Sequence, residues 1–234
     1  MIYLKLFEDF KEVDNPHGGE FNFGKLSNED ISKVKLFIED LRKTCKENGI
    51  KLRLENKTGI PYTDNDDGMM VNGYFSGEDK ELACAVGKDI DLWLTILIHE
   101  SCHMDQFLEN VPAWTDNIGL EQTDSWLSGE DDVDMDQIEE EIRTGIDVEL
   151  DCEKRSVKKI KQWKLDSIVD VEEYIQKSNA YILFYRWMHK NRSWYKIGKE
   201  PYNIKDIVSR MPKSFNIDYS RLSPKIGRIF DTYL

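Results

Sequence analysis

His99, Glu100 and His103 are the residues of this chain whose types and spacing most directly promise chemistry. Two histidines four apart project from one face of a helix, so both imidazoles can bind a single catalytic Zn2+. A glutamate beside the first histidine can reach a zinc-bound water and act as its general base. The chain holds only 4 histidines, and what precedes the pair sharpens the pattern. Leu92, Trp93, Leu94, Ile96, Leu97 and Ile98 are apolar nearly all round, which predicts a helix enclosed on most sides. Imidazole and carboxylate groups inside such a helix are costly unless they are paired or coordinated.

A catalytic zinc commonly takes three protein ligands and leaves a fourth position open. A third histidine shortly downstream is absent, because Gln106 and Glu109 stand where a glycine and that histidine would be needed. The alternative is a later carboxylate, and Glu149 within GIDVELDCEKRSVKKI offers one. Gly145, Glu149, Cys152 and Ser156 follow i, i+4, i+7, i+11 spacing, a stripe of small residues around Glu149 that permits close approach of another helix. Asp151, Lys154, Arg155 and Lys158 face elsewhere. Glu153, one turn on, can accept a hydrogen bond from a ligand histidine and fix its tautomer, and the roles of Glu149 and Glu153 can be exchanged. Hydrolysis also needs a donor for the oxyanion. His189, Tyr181 and Tyr185 lie at spacings of four on a later helix and are the candidates. No GxSxG, P-loop or dinucleotide fingerprint competes.

The elements that must position these groups are legible in outline. Ser27 followed by Asp30 resembles a helix cap, and Ile31, Val34, Phe37, Ile38 and Leu41 recur at helical spacing, predicting a helix over 28–48. Short strands are expected at 50–56, 70–76 and 81–87, separated by Gly, Pro, Asn and Asp clusters. TDNDDG at 63–68 fails the calcium-loop rule at its first and last positions and reads as a solvated turn, as does the acidic run from Asp131 to Asp136. After the central helix come helices at about 136–164 and 171–190 and a shorter one near 203–211. The basic, aromatic stretch YILFYRWMHKNRSWYKIGKEPYNI reads as helix packing. The expected fold is α+β, a small, mostly antiparallel sheet with the active-site helix and a helical C-terminal half. The expected division is a hydrolase domain over 1–165 and a helical extension over 166–234 packed on it.

At these residues the chain resembles the gluzincin group of zincin metallopeptidases, in which HExxH on one helix is completed by a glutamate on a later one. Glu149, Cys152, Glu153 and Ser156 are similar to the group's pattern of Glu, small residue, polar residue and small residue at i, i+3, i+4 and i+7. The variant is most similar to bacterial and phage metallopeptidases that cleave repressors and stress regulators. The resemblance spans roughly 69–160, with cysteines at 102 and 152 where small residues are usual and a long spacer before Glu149. It implies peptide-bond hydrolysis with a peptide or protein as partner. It also implies that Asn72, Gly73, Tyr74, Phe75 and Ser76 form the sheet edge on which an extended substrate lies. A protein that keeps zinc only as a scaffold, and a zinc hydrolase acting on another carbonyl, are the alternatives.

Bulk properties narrow the rest. The 234 residues are 40% hydrophobic, enough for a full core. With 45 acidic against 32 basic residues the net charge is −13, which disfavours nucleic acid and anionic membrane surfaces as partners. Cys45, Cys84, Cys102 and Cys152 form no CxxC pair and read as reduced thiols. No secretory signal or membrane-spanning run is legible. The expectation is a cytoplasmic protein, with phage origin and action in a host cell implied by the resemblance.

Overall fold

The computed structural model describes residues 21–62, 70–130, 132–196 and 198–234. The acidic turn expected at 63–68, and Asp131 of the later acidic run, lie outside them. Along the chain the described elements are α1 (Asn28–Glu47), β1 (Lys51–Glu55), β2 (Ile60–Pro61), β3 (Met70–Val71), β4 (Gly73–Ser76), β5 (Glu81–Ala85), α2 (Ile90–Glu109), α3 (Pro112–Thr115) and α4 (Glu121–Leu127). The long α5 (Met135–Gln162) follows, then a 3-10 turn (Leu165–Ser167), α6 (Val171–Asn191), α7 (Lys205–Val208) and α8 (Pro224–Tyr233). This is a mixed α+β chain with a small sheet and a helical C-terminal half, and none of its described helices is long and apolar enough to cross a membrane.

Contacts group the chain into two compact units. One combines 21–109 with Arg155–Asp170, and the other combines Asn110–Lys154 with Val171–Leu234. The division expected from sequence fell at 165/166, whereas Asn110–Lys154 packs with the C-terminal helices. The single helix α5 runs through both groups without a break.

In the first unit, α1 begins as its sequence dictates. Ser27 Oγ accepts from Asp30 N at 3.1 Å and donates to Asp30 Oδ2 at 2.7 Å, satisfying one of the free amides of the first turn. The sheet order is β1-β5-β4, with β5 parallel to β1 and antiparallel to β4. The three-stranded sheet is therefore mixed, not mostly antiparallel, because β1 and β5 run side by side in one direction. The single strand expected at 70–76 divides at Asn72. Residues 70–71 pair with β2, whereas the Asn72 carbonyl accepts from Ala85 N at 2.8 Å and starts the pairing with β5. One face of this sheet lies on α2. The Phe75 ring meets Phe107 at 5.5 Å, and Cys84 Sγ donates to the Trp93 carbonyl at 3.6 Å. On the other face Arg53 donates to Tyr74 Oη at 2.8 Å and to Glu81 Oε1 at 3.3 Å, pairing the buried Glu81 carboxylate.

The end of α5 holds α2 in register within the same unit. Lys159 Nζ lies 2.7 Å from Asp105 Oδ2 and donates to Ser101 Oγ at 2.9 Å and to the Ser101 carbonyl at 3.3 Å. Arg155 Nη1 reaches Glu109 Oε2 at 2.8 Å.

The second unit is built on α6, whose Ala180, Leu183, Phe184 and Met188 are buried with Ile138, Ile142 and Ile146 of α5 and Phe230 of α8. Residues 181–188 of the aromatic stretch and Tyr195 are thus core, whereas its Lys190, Arg192, Lys196 and Lys199 are exposed. Glu141 of α5, 1% exposed, accepts from Gln122 N, Thr123 N and Thr123 Oγ at the start of α4, where free amides and the helix dipole favour a carboxylate. The short helix expected near 203–211 shrinks to the four residues of α7. The terminal α8, capped by Ser223 and opened by Pro224, is an element the hydrophobic pattern did not reveal.

Lys159→Ala should destabilise the protein by about 2 kcal/mol, because it leaves a partly buried Asp105 and the Ser101 groups without their cation. Chemical denaturation measures this, and a change below about 0.5 kcal/mol would show that α2 is held by apolar packing alone.

Candidate metal centre

The α2 helix carries the pair as its spacing dictates. Its buried residues include Trp93, Leu94, Leu97, Ile98, Cys102 and Met104, so the helix is enclosed before and after the histidines. His99 is half-buried, His103 is 3% exposed and Glu100 is 6% exposed. The two rings stand at 88° with centroids 4.7 Å apart, and their Nε2 atoms are 3.1 Å from each other.

His103 Nδ1 lies 2.8 Å from Gln106 Oε1. An amide oxygen only accepts, so Nδ1 carries the proton and the Nε2 lone pair points toward His99. Burial first, then the neighbouring His99, push the His103 imidazole down to about 3, against the opposing effect of Gln106. The ring is neutral at physiological pH, the form in which imidazole binds metal. Two nitrogens bound at about 2.0–2.1 Å to one tetrahedral ion stand roughly 3.3 Å apart, close to the spacing seen here.

His99, His103 and Cys152 form a group that could hold a metal ion, with ligand atoms all within 4.8 Å of one another. Cys152 is fully buried on α5. Sequence reading placed it only among small residues of a stripe, although a cysteine three residues after a candidate ligand lies on the same helix face. Gln106 was likewise passed over. It sits three residues after His103 on the same helix, which is the signal that could have found it, and it holds the histidine's tautomer, the part expected of Glu153.

The remaining expected residues fall into separate places. Glu149 and Glu153 are 8% and 6% exposed on α5. Glu149 is close enough to Tyr181 and Tyr185 to raise both phenols, after burial as the larger cause, and Glu153 acts in the same way on Tyr219. Tyr181 and Tyr185 share a hydrogen bond at 3.2 Å. His189 is elsewhere. Its Nδ1 is 3.3 Å from Oε2 of Glu139, which stands ten residues along α5 from Glu149, and its ring packs on Trp126.

Beside the helix, β4 forms one edge of the sheet. Because the Asn72 carbonyl bonds to Ala85 N, the alternation of an antiparallel ladder turns Tyr74 and Ser76 toward β5, and the backbone N–H and C=O of Gly73 and Phe75 outward. Among the described residues no strand pairs with that outer edge. A Cβ at Gly73 would stand 2.7 Å from Ile96 Cγ2 and 3.5 Å from Glu100 Cγ. Only glycine lets the strand lie this close to α2, and the approach sets its outward backbone beside Glu100. No protein family model, curated protein or solved structure matches the chain.

The neutral, buried His103 has a consequence for stability. An unfolded histidine takes up its proton near about 6.5 and the folded one near about 3, so in that window the unfolded chain holds the extra proton. Stability of the metal-free protein should therefore fall as pH drops below about 6.5, with His103 contributing at most about 1.4 kcal/mol per pH unit. Denaturation midpoints of wild type and His103→Gln between neutral and acid pH measure it. An identical slope in the variant would reject this origin.

Proposed function

We propose that this protein is a zinc-dependent metallopeptidase of zincin-like organisation, with His99 and His103 as nitrogen ligands and Glu100 as the general base. The observation that carries the reading is the convergence of the two Nε2 atoms at 3.1 Å beside a buried glutamate on an apolar helix. Zinc bound there supplies Lewis acidity, polarising a substrate carbonyl and acidifying a water.

The chain's own groups do the rest. Gln106 holds His103 with its Nε2 lone pair available. Glu100, 6% exposed, sits where water is largely excluded, accepts the proton of the attacking water and returns it to the leaving amine. The outward N–H and C=O of Gly73 and Phe75 suit an extended peptide, which adds to the sheet as a further strand and brings a scissile bond past Glu100. That geometry favours a peptide over another carbonyl substrate.

The resemblance gives the third position to Glu149, a carboxylate that would leave zinc a stronger Lewis acid than a thiolate does, although Glu149 is not in the group that the two histidines form. A second reading gives the position to Cys152, favoured by its membership of the group with the two histidines.

Glu100→Gln should keep its zinc and its fold while peptide cleavage falls by about 10²- to 10⁴-fold, read by metal analysis and by turnover of a denatured protein substrate. Full activity in that variant would remove Glu100 from the mechanism, and wild type that binds no zinc would remove the whole reading. Glu149→Gln should weaken zinc binding by at least about tenfold while Cys152→Ser leaves it near wild type. The reverse result assigns the ligand to sulfur.

A further inference from the structure

The helix α5 presents to solvent a line of charged side chains that changes sign along its length. Asp136, Glu140, Arg143 and Asp147 are exposed at intervals of four, three and four residues. Further on, Lys154, Lys158 and Lys161 are exposed at intervals of four and three. At 3.6 residues per turn these positions all fall within about 60° of one another around the axis. The buried Cys152 and Ser156 lie on the opposite side of the helix.

The two halves of the line differ in how far their charges are satisfied. In the first half Arg143 Nη2 lies 2.6 Å from Glu140 Oε1 and its Nη1 lies 3.0 Å from Asp147 Oδ2, so one cation is shared by two carboxylates. In the second half Lys154, Lys158 and Lys161, with Lys164 exposed just beyond the helix, make no ion pair or side-chain hydrogen bond among the described residues. The basic residues of the same turns that face α2 are committed, Arg155 to Glu109 and Lys159 to Asp105. The fold thus employs the inward cations and leaves the outward ones. The helix dipole accounts for cations only in the last turn, at Lys159 and Lys161, and not for Lys154 and Lys158 above it.

We propose that the outward face of α5 at Lys154, Lys158 and Lys161 is a docking strip for an acidic protein segment. From Lys154 to Lys161 the helix rises about 10 Å, a length that an extended segment of about four residues covers. The change of sign upstream selects against a long, uniform polyanion. A nucleic acid duplex, with a charge for every ~1.7 Å of its axis, would carry phosphates past Lys154 to Asp147 and Glu140, whereas a short acidic segment ends where the lysines end. The net charge of −13 likewise repels any polyanion that reaches beyond the strip. Because the strip stands on the side of α5 opposite Cys152, this docking does not depend on the metallopeptidase reading.

The test takes the full chain and a fluorescently labelled oligoglutamate peptide, with binding followed by anisotropy at low and high salt. Wild type should bind at low salt and lose affinity as salt rises, since the contact is between solvent-exposed charges. Lys158→Glu combined with Lys161→Glu should bind at least about tenfold more weakly, because it removes two exposed pairs and adds two repulsions. Lys158→Gln with Lys161→Gln should give a smaller loss, and it carries the test if charge reversal disturbs the helix. Lys205→Glu with Lys225→Glu makes the same change of net charge at exposed lysines away from α5 and should bind like wild type. Thermal melts of the glutamine and control variants should match wild type, because these lysines hold nothing in the fold. No binding by wild type at low salt, an equal loss in the strip and control variants, or tighter binding of a short DNA duplex than of oligoglutamate overturns the proposal.

Discussion

Two imidazole nitrogens facing each other at 3.1 Å in a water-poor setting form an arrangement that needs a positive centre between them or a proton on one. On α2 the His103 proton is already committed, so a proton between the two nitrogens is one that His99 supplies. Gln106 takes the Nδ1–H of His103, and burial keeps that ring neutral, so its remaining lone pair is directed at His99. Much of the surrounding unit serves to hold this arrangement still. The apolar residues before His99 enclose the helix, β5 and β4 pack along it, and Lys159 grips the turn between Ser101 and Asp105 from the end of α5. A site that depends on two side chains meeting to within a few tenths of an ångström requires that kind of support, because small displacements of the helix would part the ring nitrogens.

The glycine at 73 shows the same economy of space. The β4 strand could carry a side chain there only by moving away from Ile96, and with it would go the outward backbone groups that lie beside Glu100. The alternation of the ladder then decides which residues can bond to an added strand. Gly73 and Phe75 turn outward because Asn72, not Gly73, begins the pairing with β5. A register one residue different would exchange these roles and turn Phe75 away from Phe107.

A single helix, α5, contributes to two cores. Its first half places Ile138, Ile142 and Ile146 among the aromatic residues of α6, and its last turns place Arg155 and Lys159 against Glu109 and Asp105. Glu149, Cys152 and Glu153 fall in the stretch of α5 between these residues.

By itself the sequence determined what depends on local periodicity. The four-residue spacing of His99 and His103, the apolar enclosure of their helix, the reciprocal cap at Ser27, the long α5 and α6, and the α+β order all follow from patterns within a few turns of chain. What it left open depends on contacts between distant segments. The split at Asn72 depends on which strand each half pairs with. The grouping of Asn110–Lys154 with the C-terminal helices, and the fitting of Tyr185 over Gly145, need α6 in place. Cys152 and Gln106 looked like filler because spacing gives the face a residue occupies and not what stands opposite it. His189 shares a face with Tyr181 and Tyr185 by spacing, and only the packed structure shows that its partners are Glu139 and Trp126. Periodicity carries one-dimensional information, whereas the identity of a partner atom is set only when separated elements pack and water is excluded between them.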